Sequence, residues 1–338
     1  MAAALLGCIL FATGCIRSGA LDTDREAIRF TAGSLLLRND APTKSTTEAF
    51  NTNGESFVIF GEKVTSSGVH TPVFDGVSIS HHINGGNYWD YEIHRFWNWT
   101  SQSDRYDFVA VYPSGMGTVN ENSASNLSVS TPYSYNSNDQ DILVATYRRN
   151  GTDWNNRYNR VDLSFSHMGS AVGVIVLNNS SSAPVTVTSI HFENLVVSAD
   201  AKVSLDNYGQ KVMRWTNLTP SAASVREQLS SEQLSSGGIT IAAQSSNSVV
   251  HQIMIPQNLH TYTAKLVLSY SVNSVPQGET KIDLETITRS DGTPITSWDA
   301  GYKYTYSISM RLDGGLLVTV TTTPWDEPVE AETPGILI

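Results

Sequence analysis

Read for hydrophobic and polar positions, the chain keeps a period of two almost throughout. Tyr106, Phe108, Ala110 and Tyr112 alternate with Asp107, Val109 and Val111, and Val161, Leu163 and Phe165 alternate with Asp162 and Ser164. Tyr262, Ala264, Leu266, Leu268 and Tyr270 form another ladder. The cleanest runs through Tyr302, Tyr304, Tyr306, Ile308, Met310 and Leu312, with Lys303, Thr305, Ser307, Ser309 and Arg311 between them. Successive side chains of a strand point to opposite faces, so each segment predicts a strand that buries one face and wets the other. Turn clusters such as "NGGN", "YPSGMG", "NNSSSAP" and "RSDGTP" separate these segments at short intervals, the spacing of antiparallel sandwiches. Only residues 221–234, "SAASVREQLSSEQL", have helical spacing. The polar stretch 146–160 interrupts the rhythm and predicts a boundary between two β-sandwiches. No period of roughly 20 to 50 residues repeats, which argues against a solenoid or propeller.

Composition sharpens this picture. The 338 residues carry 21 basic and 32 acidic side chains, a formal charge of -11 spread without long runs. That balance argues against nucleic-acid binding, which needs basic patches facing phosphate. Abundant Ser, Thr and Asn, with β-branched and aromatic residues dominating the apolar set, is the profile of an extracellular all-β protein. Residues 1–14, "MAAALLGCILFATG", are too short to span a bilayer, which takes about 20 apolar residues, and match a signal-peptide core. The usual basic segment before such a core is missing, which places the true start upstream. Ala12-Thr13-Gly14-Cys15 resembles a bacterial lipobox, with Cys15 as the lipidated residue; Leu5-Leu6-Gly7-Cys8 fits only loosely. The chain's two cysteines both lie here, so a mature chain starting at Cys15 has no internal disulfide and no Cys-ligated zinc.

A search for catalytic chemistry finds no carrier. There is no G-x-S-x-G elbow, Walker loop, H-E-x-x-H or C-x-x-C. His81 and His82 are adjacent, so on a strand they face opposite sides and do not share a metal. "NSNDQD", residues 136–141, has calcium-loop composition without the glycine and closing glutamate of an EF-hand, and reads as a turn. No cofactor or metal is expected. Aromatics cluster in "NYWDYEIHRFWNWT". Trp89, Tyr91 and Ile93 share one strand face and read as core, whereas Trp97 and Trp99 are the more exposed candidates for stacking on a glycan.

Several segments taken in order resemble the fimbrillin family, the subunits of type V pili. The first half contains "NTNGESFVIFGEK", "PVFDGVSI", "NYWDYEIHRFWNW" and "YDFVAVYPSG", bridged by "DQDILVATYR". The second contains "VDLSFSHMGSAVGVIVLNNS", with Phe165, His167 and Ala171 matching an F-x-H-x-x-x-A pattern, then "TSIHFENL", "SWDAGYKYTYSISM" and "VTVTTTPWDE". On the residues' own chemistry, Tyr304 and Tyr306 are core positions, Gly301 suits the tight turn before them, and His167 is a satisfied structural histidine between apolar positions.

The resemblance implies two consecutive β-sandwiches of transthyretin-like, Greek-key type and no enzymatic activity. It implies export as a lipoprotein to the outer membrane, then cleavage by a trypsin-like surface protease that releases the first strand. A strand from the C-terminal end of another subunit fills the groove left behind, by β-strand addition. On this reading residues 1–14 are the signal peptide and 15–44 a lipidated segment with the removable strand "AIRFTAG", whose Ile28, Phe30 and Ala32 share a face. Residues 45–155 and 156–315 are the two sandwiches. Residues 316–338 are the donor tail, with Leu316, Val318 and Val320 on one face and Pro324 ending the pairing or lying on an edge. Arg38 and Lys44 are the cleavage candidates, in a polar segment suited to proteolysis. The expected partners are sibling pilins, the protease, the membrane before maturation, and a host or bacterial surface receptor in adhesion or biofilm formation. The alternative is a monomeric outer-membrane lipoprotein that binds glycans through Trp97 and Trp99.

Overall fold

The computed structural model describes residues 26–33, 53–83, 88–121, 126–135, 140–178, 183–225, 227–229, 231–248, 252–310 and 315–325. Its strands are β1 (Phe30–Gly33), β2 (Ser56–Val64), β3 (His70–His82), β4 (Tyr88–Asp90), β5 (Arg105–Tyr112), β6 (Val119–Asn120), β7 (Ser128–Ser134), β8 (Leu143–Asn150), β9 (Val161–Ser164), β10 (Ser166–His167) and β11 (Ser170–Asn178). The chain continues through β12 (Val185–Leu205), β13 (Lys211–Val225), the single helical turn α1 (Ser231–Ser235), β14 (Ile239–Ile241), β15 (Ser245–Ser248), β16 (Gln252–Met254) and β17 (Gln257–Asn258). It closes with β18 (Lys265–Val272), β19 (Val275–Asp283), β20 (Ser297–Trp298), β21 (Tyr302–Met310) and β22 (Leu316–Pro324). The fold is all-β. The expected helix over 221–234 is only partly formed: 221–225 are strand paired with β12, and 231–234 fall in α1.

The first sheet runs β10-β8-β5-β2-β3-β4-β1-β9. Its two end strands, β9 and β10, are consecutive in the chain and separated only by Phe165, so the sheet closes on itself along this seam. Inside it lies an aromatic core containing Phe30, Phe57, Phe74, Trp97, Tyr106, Phe108 and Phe165. The second sandwich packs a five-stranded sheet, containing β15-β11-β21-β22 with β16 beside β11, against a seven-stranded sheet built on β12. Its core includes Val172, Val174, Phe192, Leu266, Tyr304, Tyr306 and Ile308. Tyr304 and Tyr306 are therefore core, and Gly301 sits at φ +76°, the left-handed turn that glycine adopts without strain.

Two expectations are corrected by how the sandwiches meet. Val109 and Val111 are not wet: they pack outside the first sheet, against Val129, Val196, Ala201, Val203 and Leu205 of the seven-stranded sheet. Strand β5 is buried on both faces for this reason, and β2 likewise. Sheet membership also crosses the expected boundary near residue 156. Strands β6 and β7 join the seven-stranded sheet, while β9 and β10 complete the first. Pairing is mostly antiparallel, but β1 with β9 and β11 with β21 are parallel.

Candidate functional site

Strand β1 and its surroundings form the candidate site. The segment enters with Ala27 bridged to Phe96, then runs between β4 and β9. Parallel pairing places Phe30, Thr31, Ala32 and Gly33 opposite Val161, Asp162, Leu163 and Ser164. Backbone bonds hold both sides: Ile28 N–H donates to Arg95 O at 2.8 Å, Trp97 N–H to Glu26 O at 3.0 Å, and Val161 N–H to Arg29 O at 2.8 Å. The Tyr91 hydroxyl donates to Ile28 O at 2.7 Å. Burial pushes that phenol up to about 12, so it remains a neutral donor over the physiological range.

Alternation decides which side chains enter the core. Ile28 and Phe30 are buried and Ala32 is half-buried against the same cluster, while Arg29 is exposed. The Phe30 ring meets Phe74 at 5.4 Å, Tyr91 and Phe108 at 6.0 Å, and Phe57 at 6.4 Å between centroids, mostly edge to face. Thr31 Oγ1 donates to the Asp162 carboxylate on the outer side. Outside β1, Arg29, Asp90, His94 and Arg160 line a cavity of about 220 Å³, in which His94 Nε2 and Asp90 Oδ1 already pair at 2.9 Å. The chemistry here is recognition of a strand by backbone ladders and an apolar pocket. Cys15, Arg38 and Lys44 lie outside the described residues.

The tryptophans behave differently from expectation. Trp97 is only 2 % exposed and belongs to the aromatic core, because its backbone is tied to Glu26 and its ring meets Tyr106 at 4.9 Å. Trp99 stacks on Trp97 at 5.7 Å and donates from Nε1 to Arg157 O at 3.3 Å. The pair is packing, not an open stacking platform. Ile93 also departs from its expected face: β4 ends at Asp90, and Ile93 is 66 % exposed in the turn that follows. His81 and His82 do face opposite sides, stacking on Trp89 and Tyr88 respectively.

The expected donor segment is folded into its own chain. Strand β22 pairs antiparallel with β21 along its whole length at the edge of the five-stranded sheet, so it is not a loose tail. Val320 is buried, Leu316 and Val318 are half-buried, and Pro324 ends the edge strand. Its end is pinned by Trp325, whose ring lies 3.7 Å from His167 at an interplanar angle of 2° and whose N–H donates to Gly301 O at 2.7 Å. His167 Nδ1 pairs with the buried Asp141 carboxylate. Asp141, expected in a turn, is thus a core partner that sequence spacing could not reveal across 26 residues.

Two charged groups brace the first sandwich. Arg148 grips the buried Asp107 through Nε at 2.6 Å and Nη2 at 2.9 Å, and reaches Asn207 O at 2.9 Å in the turn after β12, joining the two sandwiches. Lys63 pairs with the buried Asp104 at 3.0 Å. Burial alone would raise the Asp104 pKa, but bonds from Thr100, Lys63 and Ser101 outweigh it and hold the carboxyl well below its usual range.

Solved structures with the same architecture include a fimbrial protein from Bacteroides vulgatus, 16% identical with a TM-score of 0.59, matched over 89% of this chain and 99% of that one. The tip fimbrial protein Mfa3 from Porphyromonas gingivalis, with a C-terminal truncation, is 9% identical with a TM-score of 0.39, over 82% and 96%. No curated protein sequence matches the chain. A family model described as fimbrillin-like matches residues 43–325, so the chain belongs to the fimbrillin-like family of structural pilus and adhesion proteins, not enzymes.

Proposed function

We propose that the protein is a pilus subunit of the cell surface that polymerises by strand exchange. It is exported as a lipoprotein through Cys15 to the outer membrane and is cut by a trypsin-like protease after Arg38 or Lys44. The observation that carries this reading is the placement of β1. Residues 28–33 supply Ile28 and Phe30 to the core, yet β1 itself is only four residues long, hydrogen-bonded between β4 and β9. Burying these two side chains contributes roughly 3 to 6 kcal/mol, at about 1.5 to 3 each. Once the connection through 34–52 is cut, that hold is non-covalent, and withdrawal exposes two strand edges and an apolar slot. A strand from another copy can heal both edges by backbone pairing and fill the slot with alternate side chains. Strand β22 suits the donor role, since as an edge strand it detaches from one long neighbour instead of two. Its Leu316, Val318 and Val320 would then take the places of the departing residues.

The test is to treat purified mature chain with trypsin, follow loss of the N-terminal segment by mass, and follow assembly by size. Cleavage after Arg38 or Lys44 followed by a ladder of oligomers is expected. A chain that is cut there and never polymerises, alone or with sibling subunits, would overturn the reading.

A further inference from the structure

The removable strand and the pin on β22 belong to one short stretch of chain. Residues 161–164 carry β1 on one side. Phe165 then enters the aromatic core, 5.4 Å from Phe57. Ser166 and His167 pair with Val144 and Leu143 of β8, and His167 carries the Trp325 ring. Met168 O accepts from Trp215 Nε1 at 2.9 Å, Gly169 O accepts from Gly301 N–H at 2.9 Å, and Gly301 O in turn accepts from Trp325 N–H. Ala171 closes the pocket around Trp325 together with Ile253. The seam that seals the first sheet therefore also seats Trp325, the residue directly after the C-terminal edge strand.

We propose that this seam couples the two strands, so that departure of β1 loosens the seat of Trp325 and eases detachment of β22. The inference rests on the strand-exchange reading, to which it adds an order of events. A subunit that still holds β1 keeps β22 pinned, and a subunit that has lost β1 becomes both a better acceptor and a better donor. The physical basis is the balance of contacts on the seam. Four register pairs tie β9 to β1, whereas only two tie β10 to β8. Losing the larger set leaves His167 positioned by the two pairs with β8, the Met168 N–H bond to Ile142 O at 2.8 Å and its own bond to Asp141. Each exchange that frees a slot would then also free a strand, which biases assembly toward growth of processed subunits.

Amide hydrogen exchange on the full, uncleaved chain tests this without polymerisation. Leu163→Ala weakens the seam beneath β1, and Trp325→Ala removes the pin directly. In Leu163→Ala we expect exchange at Thr321, Thr322 and Thr323 to quicken by about tenfold, along with β1, while Val109 and Ala110 in the middle of β5 stay protected. Trp325→Ala should quicken the same β22 amides and leave β1 unchanged. If Leu163→Ala does not fold, Leu163→Val is read in the same way, with a smaller shift. Unchanged β22 exchange in the Leu163 variant, whatever happens to β1, overturns the coupling. The strand-exchange reading would survive that result, because it stands or falls on assembly after cleavage.

Discussion

Replacing Phe30 by alanine asks whether β1 is a structural member of the first sandwich or merely rests on it. Phe30 is 2 % exposed, and four aromatic rings surround it with centroids 5.4 to 6.4 Å away. Returning a buried phenylalanine to water forfeits roughly 1.5 to 3 kcal/mol. Each well-placed aromatic pair adds about 0.5 to 1.5 kcal/mol beyond that area. Simple addition over four pairs overshoots, because the neighbours relax into the space; truncations of this kind cost about 3 to 5 kcal/mol. We expect that loss in the uncleaved chain, read as a lower urea midpoint with an unchanged slope. After cleavage within 34–52 the same loss falls entirely on the hold over β1. At about 1.4 kcal/mol per factor of ten, the strand should then leave more than about a hundredfold faster. Arg29→Ala is the matched control at the residue directly before β1, with its side chain outside; it should stay within about 0.5 kcal/mol. Equal effects from the two substitutions, or a Phe30→Ala loss under about 1 kcal/mol, would refute the reasoning, since β1 would then not be part of the cooperative core.

Other consequences follow from the same contacts. Asp104→Asn should cost about 3 kcal/mol at neutral pH by taking the carboxylate from buried Lys63 and leaving it the neutral acceptors Asn98 O and Thr100 Oγ1. Because the folded carboxyl titrates below its ordinary value near 3.8, its contribution is present above that pH and is lost as the pH falls further, so the variant's acid limb should be flatter in denaturant titrations at pH 7 and pH 3. Arg148→Ala leaves Asp107 buried with Arg105 Nε at 3.1 Å still beside it and releases the turn at Asn207; about 3 kcal/mol or more should be lost in urea unfolding. Arg148→Lys should recover less than half of it, since a point charge cannot reproduce the two-pronged grip. Gly238 sits at φ +110° with Val187 O 2.1 Å from where a Cβ would stand, so Gly238→Ala should lower thermal stability by at least the 1 to 3 kcal/mol of a strained backbone position.

How far the residues themselves declare this architecture depends on whether the information is local. Period-two alternation located β21, β9 and β18 and sorted Tyr304 and Tyr306 to the core, because one buried face leaves a local signature. The same rule failed for β5, where Val109 and Val111 meet the second sandwich; burial on both faces erases the wet half of the pattern. Trp97 was misplaced for a related reason. It follows the end of β4, and what turns it inward is a hydrogen bond to Glu26, far away in sequence. Pairing is equally non-local, so nothing in the spacing of residues 119–134 or 161–167 says that these segments exchange sheets. The inward face of residues 28–32 was legible in the alternation of Ile28, Phe30 and Ala32, but the parallel pairing of β1 with β9 was not.

A sheet that closes on itself has no edge to offer, which is how a secreted β-protein avoids pairing with whatever strand it meets. In this chain closure depends on β1 at one place and on the residues between β9 and β10 at another. On the strand-exchange reading, the element that covers the core is therefore also the one whose loss would open a surface for pairing. A longer or covalently braced first strand would protect better but could not be withdrawn; one without Phe30 would leave too readily and expose the slot early. With only four strand residues, Phe30 deeply buried, Ile28 buried just before it and paired backbone on both sides, β1 lies between these limits. The same compromise applies to β22, which is stable enough at an edge to fold in its own chain yet has only one full-length neighbour to give up.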